Sequence, residues 1–208
     1  MTIRLRAATA QQDLVAVSEI LDGVFGVPKS ATMLRVGFMF DLLRTEQLVM
    51  LVDNADGPIG ASVALRGRAH VELTHMAVLA ERQGNGVGRT LFAGVTDWAA
   101  ENDFDSIRWC VSPDNVGAVA AYLAWGARIE GWIDDAYGVS ADSYNQGSTD
   151  RFVGVWRRDG WPDSSNVVPV PHGDHERLRD LLRGWAQIVS TGDGKYLIAR
   201  HRSPGQAG

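Results

Sequence analysis

The run Gln83-Gly84-Asn85-Gly86-Val87-Gly88 constrains this chain more than any other segment, because of what flanks it. Upstream, Val71-Glu72-Leu73-Thr74-His75-Met76-Ala77-Val78 reads as a strand, and downstream Val87, Leu91, Val95 and Trp98 recur at helical spacing. Strand, glycine turn and helix follow in that order. Three glycines at alternate positions permit positive φ and leave room for successive N–H groups to converge on an anion where a helix begins. A pyrophosphate suits such a loop. Two common phosphate fingerprints do not fit: counted from Gly84 or Gly86, the last position of G-x-G-x-x-G falls on Arg89 or Leu91, and no Gly-Lys-Ser or Gly-Lys-Thr follows Gly84.

A second constellation follows another strand-like run, Ser106 to Val111. Asp114 or Asn115 can cap a helix whose apolar residues Val116, Val119, Ala120 and Leu123 share a face, with Gly126 as its stop. Asn115 and Tyr122 are two helical turns apart, so they lie on nearly the same side of that helix.

Together the two constellations resemble the GNAT superfamily of acyl-CoA N-acyltransferases. The shared pattern is Gln/Arg-x-x-Gly-x-Gly/Ala opening a helix (Gln83, Gly86, Gly88), then a strand, then Asn-x-x-Ala with a tyrosine seven residues after the asparagine (Asn115, Ala118, Tyr122), closing on Gly126. The resemblance spans roughly residues 1 to 158 and implies an α/β (α+β) fold with a mixed, mostly antiparallel twisted sheet flanked by helices. It also implies acetyl-CoA or another acyl-CoA as cofactor. Gln83, Gly84, Asn85, Gly86, Val87, Gly88 and Arg89 would hold its pyrophosphate, Asn115 the pantetheine arm, and the backbone of Met76, Ala77 and Val78 the pantetheine and an oxyanion. Tyr122 would protonate the departing thiolate, and Glu72, at a strand position where such enzymes place a base, would take the amine's proton.

Glu72 points into the cleft if its strand is regular over Glu72, Thr74 and Met76; His75 then has the opposite parity and serves only if the strand is bulged. Cys110 reads as small core packing, and as the lone cysteine it allows no intramolecular disulfide. No group of histidines, cysteines and carboxylates has metal-ligand spacing.

A net charge of −5 offers no basic footprint for nucleic acid. With no apolar run long enough for a membrane span and no signal-like start, a cytoplasmic protein is expected. A narrower resemblance, to a GNAT branch associated with N-acyl amino acid racemases, rests on Thr74-His75-Met76, the segment Asn145 to Phe152, Val155-Trp156-Arg157 and a following Pro-containing strand, helix and strand. It implies an amino-acid amine and admits succinyl-CoA as donor.

Along the chain, a strand at Ile3 and Leu5 precedes a helix whose start has capping-box spacing (Thr9 to Gln12) and which carries Leu14, Val17 and Leu21. A second helix is expected from Ser30 to about Thr45, then a hairpin of Leu48 to Val52 and Ile59 to Leu65, and a strand at Arg151 to Arg157. Residues 1–160 form the acyltransferase domain in this reading. Residues 161–202 follow as a linker, an amphipathic helix over Asp174 to Ser190 and a strand at Lys195 to Arg200, packing on the core or on the second subunit of a homodimer; 203–208 form a disordered tail. Phe25, Met33, Phe38, Trp132, Tyr137 and Tyr144 are candidates to line the pocket for a small amine. The acidic loop Asp134 to Asp150 is a candidate to attract that amine when cationic.

Overall fold

The computed structural model describes residues 2–26, 32, 34–136, 149–162, 164, 167–184 and 186–200. Expectations placed on Ser30, Met33, Tyr137, Tyr144, residues 137–148 of the acidic loop and the tail from Ser203 lie outside the described residues. The chain divides into two compact units, 1–107 and 108–208.

In the first unit, strands β1 (Arg4–Ala7), β2 (Leu48–Asn54), β3 (Gly57–Arg66) and β4 (Val71–Val78) are neighbours in that order, and each adjacent pair is antiparallel. Helices α1 (Gln11–Phe25) and α2 (Val36–Arg44) cover one face. Their Leu14, Val17, Leu21, Met39 and Leu42 pack on Val49, Leu51, Ala61, Val63 and Ala77 of the sheet. Helix α3 (Val87–Glu101) covers the other face, where Gly60 and Gly94 let it come close. A Cβ on Gly60 would lie 2.8 Å from Val87 Cγ1, and one on Gly94 would strike Met50 and Leu5.

Two helix starts differ from expectation. Helix α2 begins at Val36, later than the expected Ser30, with Arg35 at its N-cap. At α1 the N-cap is Ala10, which has no capping side chain, so the Thr9-to-Gln12 box does not form. Asp13 replaces it: its Oδ2 accepts from the Thr9 and Ala10 amides at 2.9 and 3.0 Å, while its Oδ1 accepts from Arg6 Nη1 at 2.7 Å. Arg6 also reaches Asp53 on β2 at 2.5 Å, so one partly buried guanidinium ties β1, α1 and β2 together.

The second unit takes in most of β5 (Ser106–Val111), then α4 (Val116–Ala124), β6 (Arg128–Ile133), β7 (Arg151–Arg157), β8 (Val167–Pro171), α5 (His175–Arg183), β9 (Ala186–Gly192) and β10 (Lys195–Arg200). Its strands run in the order β5-β7-β6-β9-β10-β8, and α4 and α5 pack on β6 and β9. The helix expected over Asp174 to Ser190 ends at Arg183, and Ala186–Gly192 is a strand. Gly184 closes the helix, and beyond it the β-branched residues Ile188, Val189 and Thr191 favour extended chain over helix. Ile188 is fully buried and pairs with Ile129, so the C-terminal segment extends the sheet of this unit. Cys110 is exposed on β5, contrary to the core role expected of it, because that strand buries Ile107, Trp109 and Val111 instead.

Two outcomes follow for stability. The carboxyl of Asp13 is held below the ordinary carboxylate range, first by the Thr9 amide and then by Arg6 and Ala10. Its contribution is therefore present above the unfolded carboxylate value near 3.9 and is lost as pH falls from there through the depressed folded value. Asp13→Asn should cost about 1–3 kcal/mol at pH 7 in urea melts and should flatten the loss of stability below pH ~4. In the second unit a Cβ on Gly154 would enter the ring of the buried Trp109. Gly154→Ala should lower stability by about 1–3 kcal/mol in the same melts, as overpacking of a filled core does.

Candidate active site

The glycine run forms the loop between β4 and α3, entered through a short 3-10 turn at Ala80–Arg82. Gly84 and Gly86 adopt φ of +75° and +82°, left-handed values that favour glycine, and a Cβ on either would meet nothing within 4 Å. The loop is thus open, and its glycines are required by backbone conformation. Thr90 N makes the first α3 backbone bond, to Gly86 O at 3.0 Å, so the amides of Val87, Gly88 and Arg89 precede the helical ladder and have no intrahelical acceptor. They sit at the positive end of a fifteen-residue helix.

Side chains brace this loop from within. Gln83 Nε2 donates to Val78 O at 3.1 Å, tying the loop to the end of β4, and Asn85 Nδ2 donates to Gln83 O at 3.0 Å. Val87 is buried against β3 at Gly60, while Arg89 is exposed beside the turn. Loop donors, helix end and guanidinium together fit a polyanionic group such as a pyrophosphate.

The last residues of β4 lead into the loop. Met76, Ala77 and Val78 pair with Ser62, Ala61 and Gly60 of β3. In an antiparallel strand alternate N–H and C=O groups point away from a given neighbour, so part of this main chain is directed away from β3.

Upstream the strand is not regular. Val63 pairs with His75 and Ala64 with Leu73, which leaves Thr74 as an extra residue opposite neither. This bulge overturns the expectation of common parity for Glu72, Thr74 and Met76. Glu72 pairs with Leu65 and His75 with Val63, and those two β3 residues alternate regularly onto the face covered by α1. Glu72 and His75 therefore share that face, and Met76, opposite Ser62, lies on the other. The bulge is the condition under which His75 becomes eligible for chemistry.

The two side chains differ in setting. Glu72 Oε2 is 3.4 Å from His70 Nε2 and its side chain is 41% exposed. His75 is half-buried, edge-on to Phe25 of α1 with ring centroids 6.5 Å apart, and burial pushes its imidazole below the ordinary histidine value. It is neutral at pH 7. The sequence makes His75 eligible only if the strand is bulged, and a bulge is visible only in the register with its partner.

In the second unit, Asn115 is the N-cap of α4, accepting from Ala118 N through Oδ1 at 3.1 Å. The cap uses the carbonyl end of the side chain, so the amide end is the part suited to donate to a ligand. Tyr122 is buried on the same helix beside Val119, tilted on Trp109 at 4.5 Å and edge-on to Trp125 at 5.5 Å. Burial pushes its phenol well up, so it keeps its proton at neutral pH. Packing and proton donation are compatible for such a group.

The acidic loop is neutralised in part from within its own unit. Asp134 is paired with Arg179 at 3.1 Å and with Arg183, and Asp150 with Arg179 at 3.3 Å, all from α5. These arginines leave the described part of the loop little unpaired charge with which to draw in a cation. Among the described residues, no group of three His, Cys, Asp or Glu is placed to hold a metal, and no helix is long and apolar enough to cross a membrane.

The comparisons agree with the arrangement of loop and strands. No curated protein matches the sequence. Among solved structures the chain is similar in fold to Ard1 from Thermoplasma volcanium, with 21% identity and a TM-score of 0.59 over 76% of this chain and 98% of that one. It is similar to a GNAT family acetyltransferase from Elizabethkingia anophelis with acetyl-CoA bound, with 18% identity and a TM-score of 0.58 over 74% and 97%. A ribosomal-protein-alanine N-acetyltransferase from Brucella melitensis gives 18% identity and a TM-score of 0.61 over 74% and 99%. The acetyltransferase (GNAT) family model matches residues 14–127, more than half of the sequence, from within α1 through the glycine loop to just past the end of α4. The chain therefore belongs to the GNAT acetyltransferase family and is an acyl-CoA-dependent acetyltransferase.

Proposed function

We propose that this enzyme transfers an acetyl group from acetyl-CoA to a primary amine of a small molecule, by direct attack of the amine with both substrates bound. The observation that carries the cofactor half of this reading is the open loop with left-handed Gly84 and Gly86 ahead of three α3 amides without helical acceptors. The observation that favours a small acceptor is the half-buried His75 edge-on to Phe25 on the α1 face of β4.

Acetyl-CoA supplies an activated thioester carbonyl and a thiol leaving group. Gly84 to Arg89 bind its pyrophosphate, and Gln83 holds the loop in place by its bond to Val78 O. The main chain of Met76 to Val78 orients the pantetheine, with one amide available to an oxyanion. Asn115 donates to the pantetheine arm through its amide nitrogen, and Tyr122 gives its proton to the sulfur. The face of β4 that carries Glu72 and His75 supplies the base for the amine. By the narrower resemblance the amine is that of an amino acid and succinyl-CoA is a second donor to try.

A protein N-terminus is the second reading, favoured by structural likeness to a ribosomal-protein-alanine N-acetyltransferase. Thiol release from acetyl-CoA with a panel of free amino acids, polyamines and short peptides separates the two: turnover with the small amines supports the first reading, and turnover with peptides alone replaces it with the second. A third reading, an acyl-CoA sensor without chemistry, is separated by Tyr122. Tyr122→Phe should lower kcat by about 10²-fold or more while acetyl-CoA binding persists; full activity would remove Tyr122 from the mechanism.

The loop itself can be tested by melting. Saturating acetyl-CoA at a hundred times its Kd should stabilise the protein by about 2.7 kcal/mol. Gly86→Ala forces a Cβ into left-handed backbone at a cost of about 1–2 kcal/mol and should weaken acetyl-CoA binding at least tenfold, raising KM more than it lowers kcat. An unchanged KM would detach the pyrophosphate from this loop.

A further inference from the structure

The bulge in β4 turns His75 onto the α1 face and also sets its ring beside the Thr74 hydroxyl. Thr74, the extra residue of the bulge, donates its single hydroxyl proton to Val63 O at 3.0 Å. That leaves its oxygen able only to accept. His75 Nδ1 lies 3.1 Å from the same oxygen, so Nδ1 must be the donor. The neutral ring then has its lone pair on Nε2, which has no hydrogen-bond partner among the described residues.

We propose that His75, oriented by Thr74, is the general base of the acetyl transfer, with Nε2 the atom that takes the proton from the attacking amine. This inference rests on the acyltransferase reading above and goes beyond it by naming the base and the residue that positions it. As the amine's lone pair forms the C–N bond, the carbonyl π pair moves to oxygen and the nitrogen sheds a proton to Nε2. The oxygen pair then re-forms the carbonyl, the C–S bond breaks, and the thiolate takes a proton, giving amide and thiol. His75 returns its proton to water, and Tyr122, which gave its proton to the thiolate, takes one back from water.

Glu72 is less suited to this task. It shares the face, but its carboxylate is 41% exposed and lies against His70. The other charges on the elements covering this face are few among the described residues. Helix α1 carries Asp13, which is held by Arg6, together with Glu19 and Asp22; α2 carries Asp41 and Arg44, which pair with each other; β3 contributes Arg66 at its end. Burial is the cause that moves His75, and it keeps the imidazole unprotonated and ready to accept at neutral pH.

Two readouts test the proposal, one independent of turnover. In protein carrying 15N-labelled histidine, long-range 1H–15N spectra should show neutral His75 protonated on Nδ1 and bare on Nε2. Thr74→Val should shift part of the population to the other tautomer and lower kcat several-fold, with KM for acetyl-CoA unchanged. His75→Gln should lower kcat by about 10²–10⁴-fold with the most reactive amine of the panel. Wild-type kcat should fall through an inflection below pH ~6.5 that is absent from that variant, while the variant's acetyl-CoA-dependent rise in melting midpoint stays. An Nε2-protonated ring in the wild type, or a His75→Gln kcat within threefold of wild type, overturns the assignment. Absence of acetyl transfer by the wild-type enzyme to any amine or peptide would instead sink the acyltransferase reading on which it stands.

Discussion

The close approach of α3 to β3 at Gly60 is the constraint on which the rest of the candidate site depends. A hydrogen in place of a side chain lets Val87 and Leu91 seat directly on the sheet, with 2.8 Å between Val87 Cγ1 and the position a Cβ would take. The start of α3 is thereby fixed against the sheet that carries β4. The loop that joins them must then turn within a few residues, and it does so through left-handed backbone at Gly84 and Gly86. A helix end held by packing and a loop braced by Gln83 and Asn85 give a set of amide donors that needs little rearrangement to meet an anion.

The same sheet makes a second use of irregularity. One extra residue, Thr74, breaks the ladder between β3 and β4 and gives the strand a step in its side-chain parity. Loop and bulge thus serve different halves of one chemistry: Gly84 to Arg89 present main chain to a charged cofactor, while the Thr74–His75 pair presents a side chain of defined tautomer to an amine. Both rest on the α1/α2 packing that buries Val63 and Ala77, and on the Arg6 pairing that sets α1 against β1 and β2.

How much of this the sequence carried depends on how local the determinant is. The strand-turn-helix at residues 71–101, the β2–β3 hairpin, the strand Ser106–Val111 and the Asn115 cap are set by neighbours within a few positions, and all were readable. The family pattern lay in that same local part, from the glycine loop to Tyr122. What was misread needed information from elsewhere in the chain. The helix pattern of Leu178, Leu181 and Leu182 ran on into Ile188 because periodicity does not weigh Gly184 or a partner strand at Ile129. The parity of His75 stayed conditional on a bulge because register belongs to two strands and not to one. At α1, Asp13 rather than Thr9 serves the first turn because Arg6, itself bound by Asp53 from a distant strand, holds its carboxylate there.

The central claim is that the loop between β4 and α3 holds the pyrophosphate of the cofactor. Following backbone amide resonances while coenzyme A is titrated into the uniformly 15N-labelled protein examines it most directly. The account predicts the largest saturable shifts at Gly84, Asn85, Gly86, Val87, Gly88 and Arg89. Shifts confined to other segments, with these six amides unmoved at saturation, would contradict it.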